Sequence, residues 1–354
     1  MTIIANGKNM DSKKKVFWSI FSLLLAALTI WAVFSQSEGI SIGEIIETAK
    51  GGNKLWLSCA ILCVFVYIWL EGVAVCSILK GVGYKRSPFH GILYSTSDIY
   101  FSAITPSATG GQPASAYFMI ADGIPAGVAT ATLILNLMMY TVSIVVLGLI
   151  SVIINYKLFF SFRLISKILI VAGFVILSLF SAFFLSFLRR GDVVFDRLTS
   201  FVKFLHRKHL IHRLDSRLAK IEKTKAEYMD CSALISGKTT TMVKAFFWNF
   251  LQRASQIAIP MFVYLMTGGE GQKALYMFAS QCLVTIGFNC VPIPGAMGIA
   301  DYLMVDGFSS LVGREAAFGI DMMSRGLSFY ICVALSGIIT LIGYIIIRRR
   351  KNKA

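Results

Sequence analysis

Long apolar runs alternate along the chain with short polar or basic segments. The clear runs cover residues 16–34, 54–79, 126–154, 165–188, 245–266 and 320–347. Each reaches or approaches the roughly 20 apolar residues that an α-helix needs to cross the hydrocarbon core of a bilayer. The pattern therefore predicts an all-α polytopic membrane protein with six full transmembrane helices.

Composition agrees with this pattern, and the charge distribution gives it an orientation. The chain is 56% hydrophobic and 15% charged, whereas soluble proteins are about 45–50% apolar and about 25% charged. Lysine and arginine exceed the acidic residues by 34 − 18 = 16. The basic residues cluster beside the ends of the apolar runs, at Lys13–Lys15, Lys80–Arg86, Arg189–Lys244 and Arg348–Lys353. This positive-inside pattern predicts a protein of the bacterial cytoplasmic membrane with both termini in the cytoplasm. Its basic segments are expected to face anionic lipid rather than nucleic acid.

The first apolar run raises the question of a leader sequence. It follows Lys13–Lys15 and is itself followed by further apolar runs. We therefore expect an uncleaved first helix rather than a secretory signal peptide.

If each long apolar run crosses the membrane once and the basic segments are cytoplasmic, two further segments must each start and end on one side of the membrane. Segment 88–124 has two cytoplasmic ends, and segment 268–318 has two external ends. Each contains helix-breaking residues near its middle, at Thr105–Pro113 and Val291–Gly295. The sequence thus predicts two broken, re-entrant helical hairpins of opposite orientation. Two ordinary helical hairpins with proline kinks remain the alternative.

The hairpins also suggest a repeat. Each is flanked by one long span before it and one after it, which defines units of about 54–154 and 241–347. Opposite orientations make them an inverted repeat, in which discontinuous helices build a site near the membrane midplane. Between them, the basic linker 189–244 contains an amphipathic stretch, 203–230, suited to the anionic cytoplasmic surface. The whole membrane domain is predicted to cover 1–347, followed by a basic tail, 348–354.

Ionisable residues inside apolar runs are costly and are therefore candidates for function. They are Glu71, Asp98, Arg253 and Asp301. Glu71 and Arg253 lie at similar depths, so we expect an ion pair between them. Asn249, Gln252 and Gln256 recur around Arg253 at helical spacing and form a polar stripe. Hydrogen bonding that only stabilises the helix bundle is the alternative explanation.

The first turn could hold an anion. Small hydroxyl residues precede Gly110-Gly111-Gln112-Pro113, and a helix is predicted from Ala114. Free N–H groups at a helix start bind anions such as phosphate, although the same residues could simply close the turn. The predicted substrate-binding set is Thr105, Ser107, Thr109, Gly110, Gly111, Gln112, Asn249, Gln252, Arg253, Gln256, Pro292, Pro294, Gly295 and Asp301.

Motifs for covalent or cofactor chemistry do not stand out in the sequence. G-x-S-x-G, a Walker loop and H-E-x-x-H are absent, and no His/Cys spacing suits zinc. We therefore expect no cofactor, no metal and no catalytic residues, and any transport would be passive or ion-coupled.

The two turn sequences resemble those of a known family. ITPSATGGQPASAYFM (Ile104–Met119) and PIPGAMGIADYLMV (Pro292–Val305) are similar to the signature stretches of the flippase-like transmembrane domain. That domain forms the membrane part of lysyl-phosphatidylglycerol synthases and also occurs alone. Many members carry Gly-Glu and a nearby Arg after the first turn, where this chain has Gln112 and Ser115. Many also carry a Glu after the second turn, close to the position of Asp301.

The resemblance implies a protein that binds or translocates phospholipid, either anionic or aminoacylated. Two other functions remain open: phosphatidylglycerol lysyltransferase, and secondary transport of a small polar solute. Lysyl transfer is not expected, because the chain has no room for the soluble transferase domain after its last span. A separately encoded lipid-modifying enzyme or a second copy of the chain are the expected protein partners.

Overall fold

The computed structural model describes residues 42–105, 108–207, 214–289, 291, 296 and 298–353, which are helical apart from short turns; no strand occurs among them. The chain divides into two units, residues 1–46 and 47–354. Of the first unit only 42–46 is described, so the predicted first span, 16–34, lies outside the described residues. The account below concerns the second unit.

The helices follow one another with short connections. In chain order they are α1 (Ile42–Gly51), α2 (Lys54–Gly81), α3 (Pro88–Ile104), α4 (Gly111–Ala121), α5 (Ala126–Asn155), α6 (Lys157–Ser161), α7 (Leu164–Arg189), α8 (Gly191–Arg207), α9 (Leu214–Ser236), α10 (Thr239–Ile257), α11 (Ile259–Met266), α12 (Gly271–Asn289), α13 (Ile299–Val312), α14 (Arg314–Arg325) and α15 (Cys332–Lys353). A π-helical segment, Gly326–Ile331, joins α14 to α15. The all-α class is confirmed.

Four helices within the described residues are long and apolar enough to cross a membrane. They are α2, α5, residues 164–186 of α7, and the continuous helix 314–349 that contains the π-helical segment. They correspond to the predicted runs 54–79, 126–154, 165–188 and 320–347. The chain therefore has the helices of a multi-pass membrane protein.

The predicted run 245–266 is divided between α10 and α11. The break falls at Ala258, just before Pro260, which has no N–H and whose ring crowds the preceding turn. Despite the break, the pair runs antiparallel to α2 along its whole length. Lys238 donates to the Gly81 carbonyl at one end (2.9 Å), and the Asn53 N–H donates to the Met266 carbonyl at the other (2.9 Å).

The first hairpin consists of α3 and α4, and both of its ends lie on one side of the bundle. Beside the start of α3, Arg86 donates to the carbonyl of Asp122, which follows α4 (2.7 Å). The Tyr94 hydroxyl donates to the Asp122 carboxylate (2.6 Å). Just beyond, the Gly127 N–H donates to Glu227 of α9, so this side carries the basic linker.

The second hairpin consists of α12 and α13, and its ends lie on the other side. α12 begins shortly after Met266, beside the start of α2. α13 ends beside the connection between α5 and α7, where Asp306 accepts from the Arg163 N–H (2.9 Å) and Ser161 donates to Ser310 (3.2 Å).

Small residues allow α2 and α3 to pack closely. A Cβ on Gly72 would lie 2.5 Å from the carbonyl carbon of Gly91, so only glycine permits this crossing. One turn deeper, Ser95 donates to the Ile68 carbonyl (3.0 Å). The close approach brings Asp98, on the next turn of α3, beside Glu71 of α2.

The linker between the two halves contains helices α8 and α9 on either side of residues 208–213, which lie outside the described residues. Tyr228 and Cys231 of α9 are buried in a core cluster with residues of α5. In α8, by contrast, Val194, Leu198 and Phe201 are exposed. The linker is thus partly docked on the bundle and partly presents an apolar face.

Candidate functional site

A cavity of about 730 Å³ lies among the two hairpins and the long helices around them. Three of the four predicted intramembrane charges line it: Glu71, Asp98 and Arg253. Ala108 and Ala296, from the two hairpin turns, line it as well. Both have a positive φ, 53° and 49°, and within the described residues they are the only non-glycine residues that do. Such conformations are strained and concentrate at functional sites.

The residues predicted from the sequence divide into three groups. Those that line the cavity are Thr109, Gln112, Arg253 and Gln256. Those that are described but do not line it are Thr105, Gly110, Gly111, Asn249, Gln252 and Asp301. Those that lie outside the described residues are Ser107, Pro292, Pro294 and Gly295.

The prediction of an ion pair between Glu71 and Arg253 is wrong, because the two side chains do not contact each other directly. Gln252 stands between the two residues: its side-chain amide donates to Glu71 (3.1 Å) and its oxygen accepts from Arg253 Nε (2.9 Å). The neighbouring glutamine connects the two charges because it can donate and accept at once.

Arg253 is held on the cavity wall by aromatic rings and amide oxygens. Its guanidinium carbon lies 4.0 Å from the ring centroid of Tyr140 and 5.1 Å from that of Tyr67. Nη1 donates to Gln256 (2.6 Å) and Nη2 donates to the Tyr67 hydroxyl (3.2 Å). These contacts replace much of the hydration that a buried cation loses.

Asp98 has polar partners on both arms of the first hairpin. Gln112 Nε2 donates to one carboxylate oxygen (3.0 Å), and Ser102 Oγ donates to the other (3.1 Å). Gln112 stands where the motif that the first turn resembles often has a glutamate. In this chain its amide supplies a hydrogen that an ionised glutamate could not.

Hydrogen bonds to its own backbone hold the first turn together. The Gly110 N–H donates to Thr105 Oγ1 (2.9 Å), whose hydroxyl donates to the Phe101 carbonyl (2.6 Å). In this conformation the Gly110 amide therefore supports the turn and does not face a ligand.

A second charged group lies at the start of α13. Arg325 forms an ion pair with Asp301 (2.8 Å), and the Asp301 carboxylate accepts from the Gly298 N–H (2.8 Å). Arg325 lines the cavity with Ser328 and Phe329 of the π-helical segment. π-helical turns are frequent at functional sites.

Sequence reasoning missed Arg325 and also Asp321, which is buried nearby. Both lie inside the predicted run 320–347, so the rule that identified Glu71 would have identified them. It also missed the aromatic lining, Tyr67 and Tyr140, because buried tyrosine is ordinary in apolar helices.

Helix α7 forms part of the cavity wall and is itself largely exposed. Its residues Leu177, Phe180 and Phe184 line the cavity. Phe180 is 51% exposed, and only 17% of the most apolar stretch of α7 is buried. Among the described residues, no group of three His, Cys, Asp or Glu could hold a metal ion.

These features define an all-helical, multi-pass membrane protein with buried charges around an internal cavity. Residues 19–336 match the family described as the lysylphosphatidylglycerol synthase TM region, and the chain belongs to this family. A UPF0104 membrane protein of Archaeoglobus fulgidus is 23% identical over 297 residues, which cover 82% of this chain and 86% of that protein. No solved structure matches the chain. The resemblance inferred from the two turn sequences is thereby confirmed.

Proposed function

We propose that this protein receives a membrane phospholipid through the opening beside α7 and carries its headgroup across the cytoplasmic membrane. The observation that carries the proposal is Phe180, which lines the polar cavity and is half-exposed on α7, a helix that is itself largely exposed. A lipid needs such an opening, because its headgroup must enter a polar space while its acyl chains stay in hydrocarbon. A cavity for a small polar solute has no use for it.

The packing of the two halves supports an alternating mechanism. The first arm of the first hairpin, α3, packs against α15, the last helix of the other half. In the same way, the first arm of the second hairpin, α12, packs against α5, the last helix of the first half. Glycines mediate both contacts: Gly337 approaches Tyr100 in the first, and Gly148 approaches Ile286 in the second. We propose that the hairpins are re-entrant parts of an inverted repeat and that each half in turn opens the cavity to its own side.

The cavity lining suits a phosphodiester. Arg253 and Arg325 line the cavity from different helices, and Gln112 and Gln256 add amide groups to the lining. Guanidinium groups are well suited to phosphate because their donors match its oxygens. We propose that the phosphate of an anionic or aminoacylated phospholipid contacts these groups.

Reconstitution tests the proposal directly. Purified protein in liposomes, supplied with phosphatidylglycerol that carries a fluorophore on an acyl chain, should expose inner-leaflet lipid to an impermeant quencher faster than empty liposomes do. Arg325→Gln should slow this exposure, whereas Arg314→Gln, an exposed arginine at the start of α14, should not. Exposure at the protein-free rate for several headgroups would contradict the proposal.

A further inference from the structure

Two carboxyl groups meet in the cavity wall, and lipid handling alone does not explain them. Glu71 is 7% exposed and Asp98 is 9% exposed, and they come from different helices. Each already accepts hydrogen bonds from amide or hydroxyl groups, and both line the cavity where α2 and α3 cross closely. Two ionised carboxylates have only acceptor atoms, so a hydrogen bond between the two side chains requires a proton on one of them.

The charged and titratable groups around the pair balance its charge only when the pair holds one proton. Those that face it are Tyr67 on α2, Tyr140 on α5, Arg253 on α10 and Cys332 on α15. With one proton, the pair carries a single negative charge, which Arg253 balances. Without it, the wall holds a second, uncompensated negative charge in a poorly solvated place, which is costly.

An independent feature of the same cavity indicates that a hydrogen donor belongs inside it. Gln281 is 7% exposed and lines the cavity, and its side-chain oxygen has no hydrogen-bond partner. A buried acceptor without a donor is unfavourable, so a donor from water or a headgroup is expected to reach it when the cavity changes shape. Water in the cavity that Gln281 shares with Glu71 and Asp98 gives the carboxyl pair a route for proton exchange.

We propose that the Glu71–Asp98 pair binds one proton from one side of the membrane and releases it to the other during each translocation cycle. This inference rests on the proposed lipid translocation and names the ion that drives it. In the uptake step, a hydronium ion in the cavity water gives a proton to a carboxylate oxygen: its O–H bond breaks, the carboxyl O–H bond forms and a neutral water remains. In the release step, the proton returns to water facing the opposite side.

Liposomes with an imposed pH difference test the coupling. Wild-type protein should translocate labelled phosphatidylglycerol several-fold faster with one polarity of the gradient than with the other. Glu71→Gln and Asp98→Asn should bring the ratio of the two rates to one. Glu222→Gln, a matched change at an exposed position of α9, should leave the ratio unchanged.

A spectroscopic measurement keeps the inference testable without transport. Purified wild-type protein should show an infrared band of a protonated carboxyl group that disappears in Asp98→Asn and in Glu71→Gln. If translocation is rapid, independent of the gradient and unaffected by both substitutions, the proton site is wrong while lipid translocation stands. If the band is absent at every pH at which the spectrum is recorded, the proton site is wrong whether or not lipid moves.

Translocation at the protein-free rate together with the band would contradict the transport and leave the proton site in place. A dependence on sodium without dependence on the pH gradient would assign the carboxyl pair to a different ion and overturn the inference.

Discussion

Gly111 sets the distance between the two arms of the first hairpin. A Cβ at this position would overlap both the Asp98 carboxylate and Ser102 Oγ. We therefore expect Gly111→Ala to destabilise the protein by about 1–3 kcal/mol, the usual cost of overpacking, and to separate Asp98 from Gln112. Thermal unfolding of the detergent-solubilised protein measures the loss.

Gly319 provides the control for this change. It lies within α14, and a Cβ there would meet nothing within 4 Å. Gly319→Ala should be neutral or stabilise the helix by about 0.5–1 kcal/mol. Equal destabilisation by the two substitutions would show that the contact between Gly111 and Asp98 is unimportant.

Gln112 provides a second test at this scale. Gln112→Glu replaces the amide donor that contacts Asp98 by a carboxylate, which repels it unless one of them is protonated. Translocation by the variant should therefore be slow at neutral pH and recover as the pH is lowered. Gln272→Glu, an exposed position at the start of α12, should keep the wild-type pH profile.

At the residue level, the sequence identified groups but not their partners. The cost of burying charge was sufficient to select Glu71, Asp98 and Arg253, and the structure places all three on the cavity wall. Depth alone could not show that Gln252 would lie between Glu71 and Arg253, since that depends on side-chain packing between α2 and α10.

At the level of the element, the proposed lipid route runs beside α7. Phe180→Trp should narrow the opening and slow translocation. Phe183→Trp, at a site that is 59% exposed and does not line the cavity, should leave the rate unchanged. The liposome assay compares the two variants, and an equal effect would remove α7 from the route.

The docking of α9 can be followed through Cys231, which lies outside the membrane-spanning helices. Burial raises the pKa of the Cys231 thiol to about 12, so below that pH the reactive thiolate is scarce. We expect Cys231 to resist alkylation at pH 8 in the folded protein. Tyr228→Ala, which removes a buried side chain one turn before it, should make it reactive, whereas Lys220→Ala should not. Mass spectrometry of the Cys231 peptide measures the extent of alkylation.

Helix positions were largely predictable, because length and apolar character determine them. The runs 54–79, 126–154, 165–188 and 320–347 each correspond to a helix. The division of 245–266 at Ala258 was not predicted, although Pro260 was a visible signal. The π-helical turn after Arg325 had no such signal, since it depends on how α14 and α15 pack.

For the whole molecule, the proposed topology makes a labelling prediction. Positions just before and after the second hairpin should face the outside, and the start of the first hairpin should face the cytoplasm. Gln272→Cys and Glu315→Cys should react with an impermeant thiol reagent on intact cells, and Lys85→Cys only after permeabilisation. Labelling of only one of the two external positions would contradict re-entry of the second hairpin.

Whole-molecule organisation could be predicted only in part. The positions of the basic segments and the number of crossings indicated that each hairpin has both ends on one side. Contacts such as that from Arg86 to Asp122 agree with this. The cavity could not be predicted, because its lining combines residues far apart in sequence, such as Tyr140 and Asn289, whose side chains hydrogen-bond across α5 and α12 (2.9 Å).

The place of Phe180, half-exposed in the cavity lining, also has a consequence for which lipids the protein would distinguish. If only the headgroup enters, the tails never leave the bilayer, and their length or degree of saturation contributes nothing to recognition. The protein would then sort its cargo by headgroup chemistry alone. A cell could remodel its fatty acids with temperature or diet without needing a different protein.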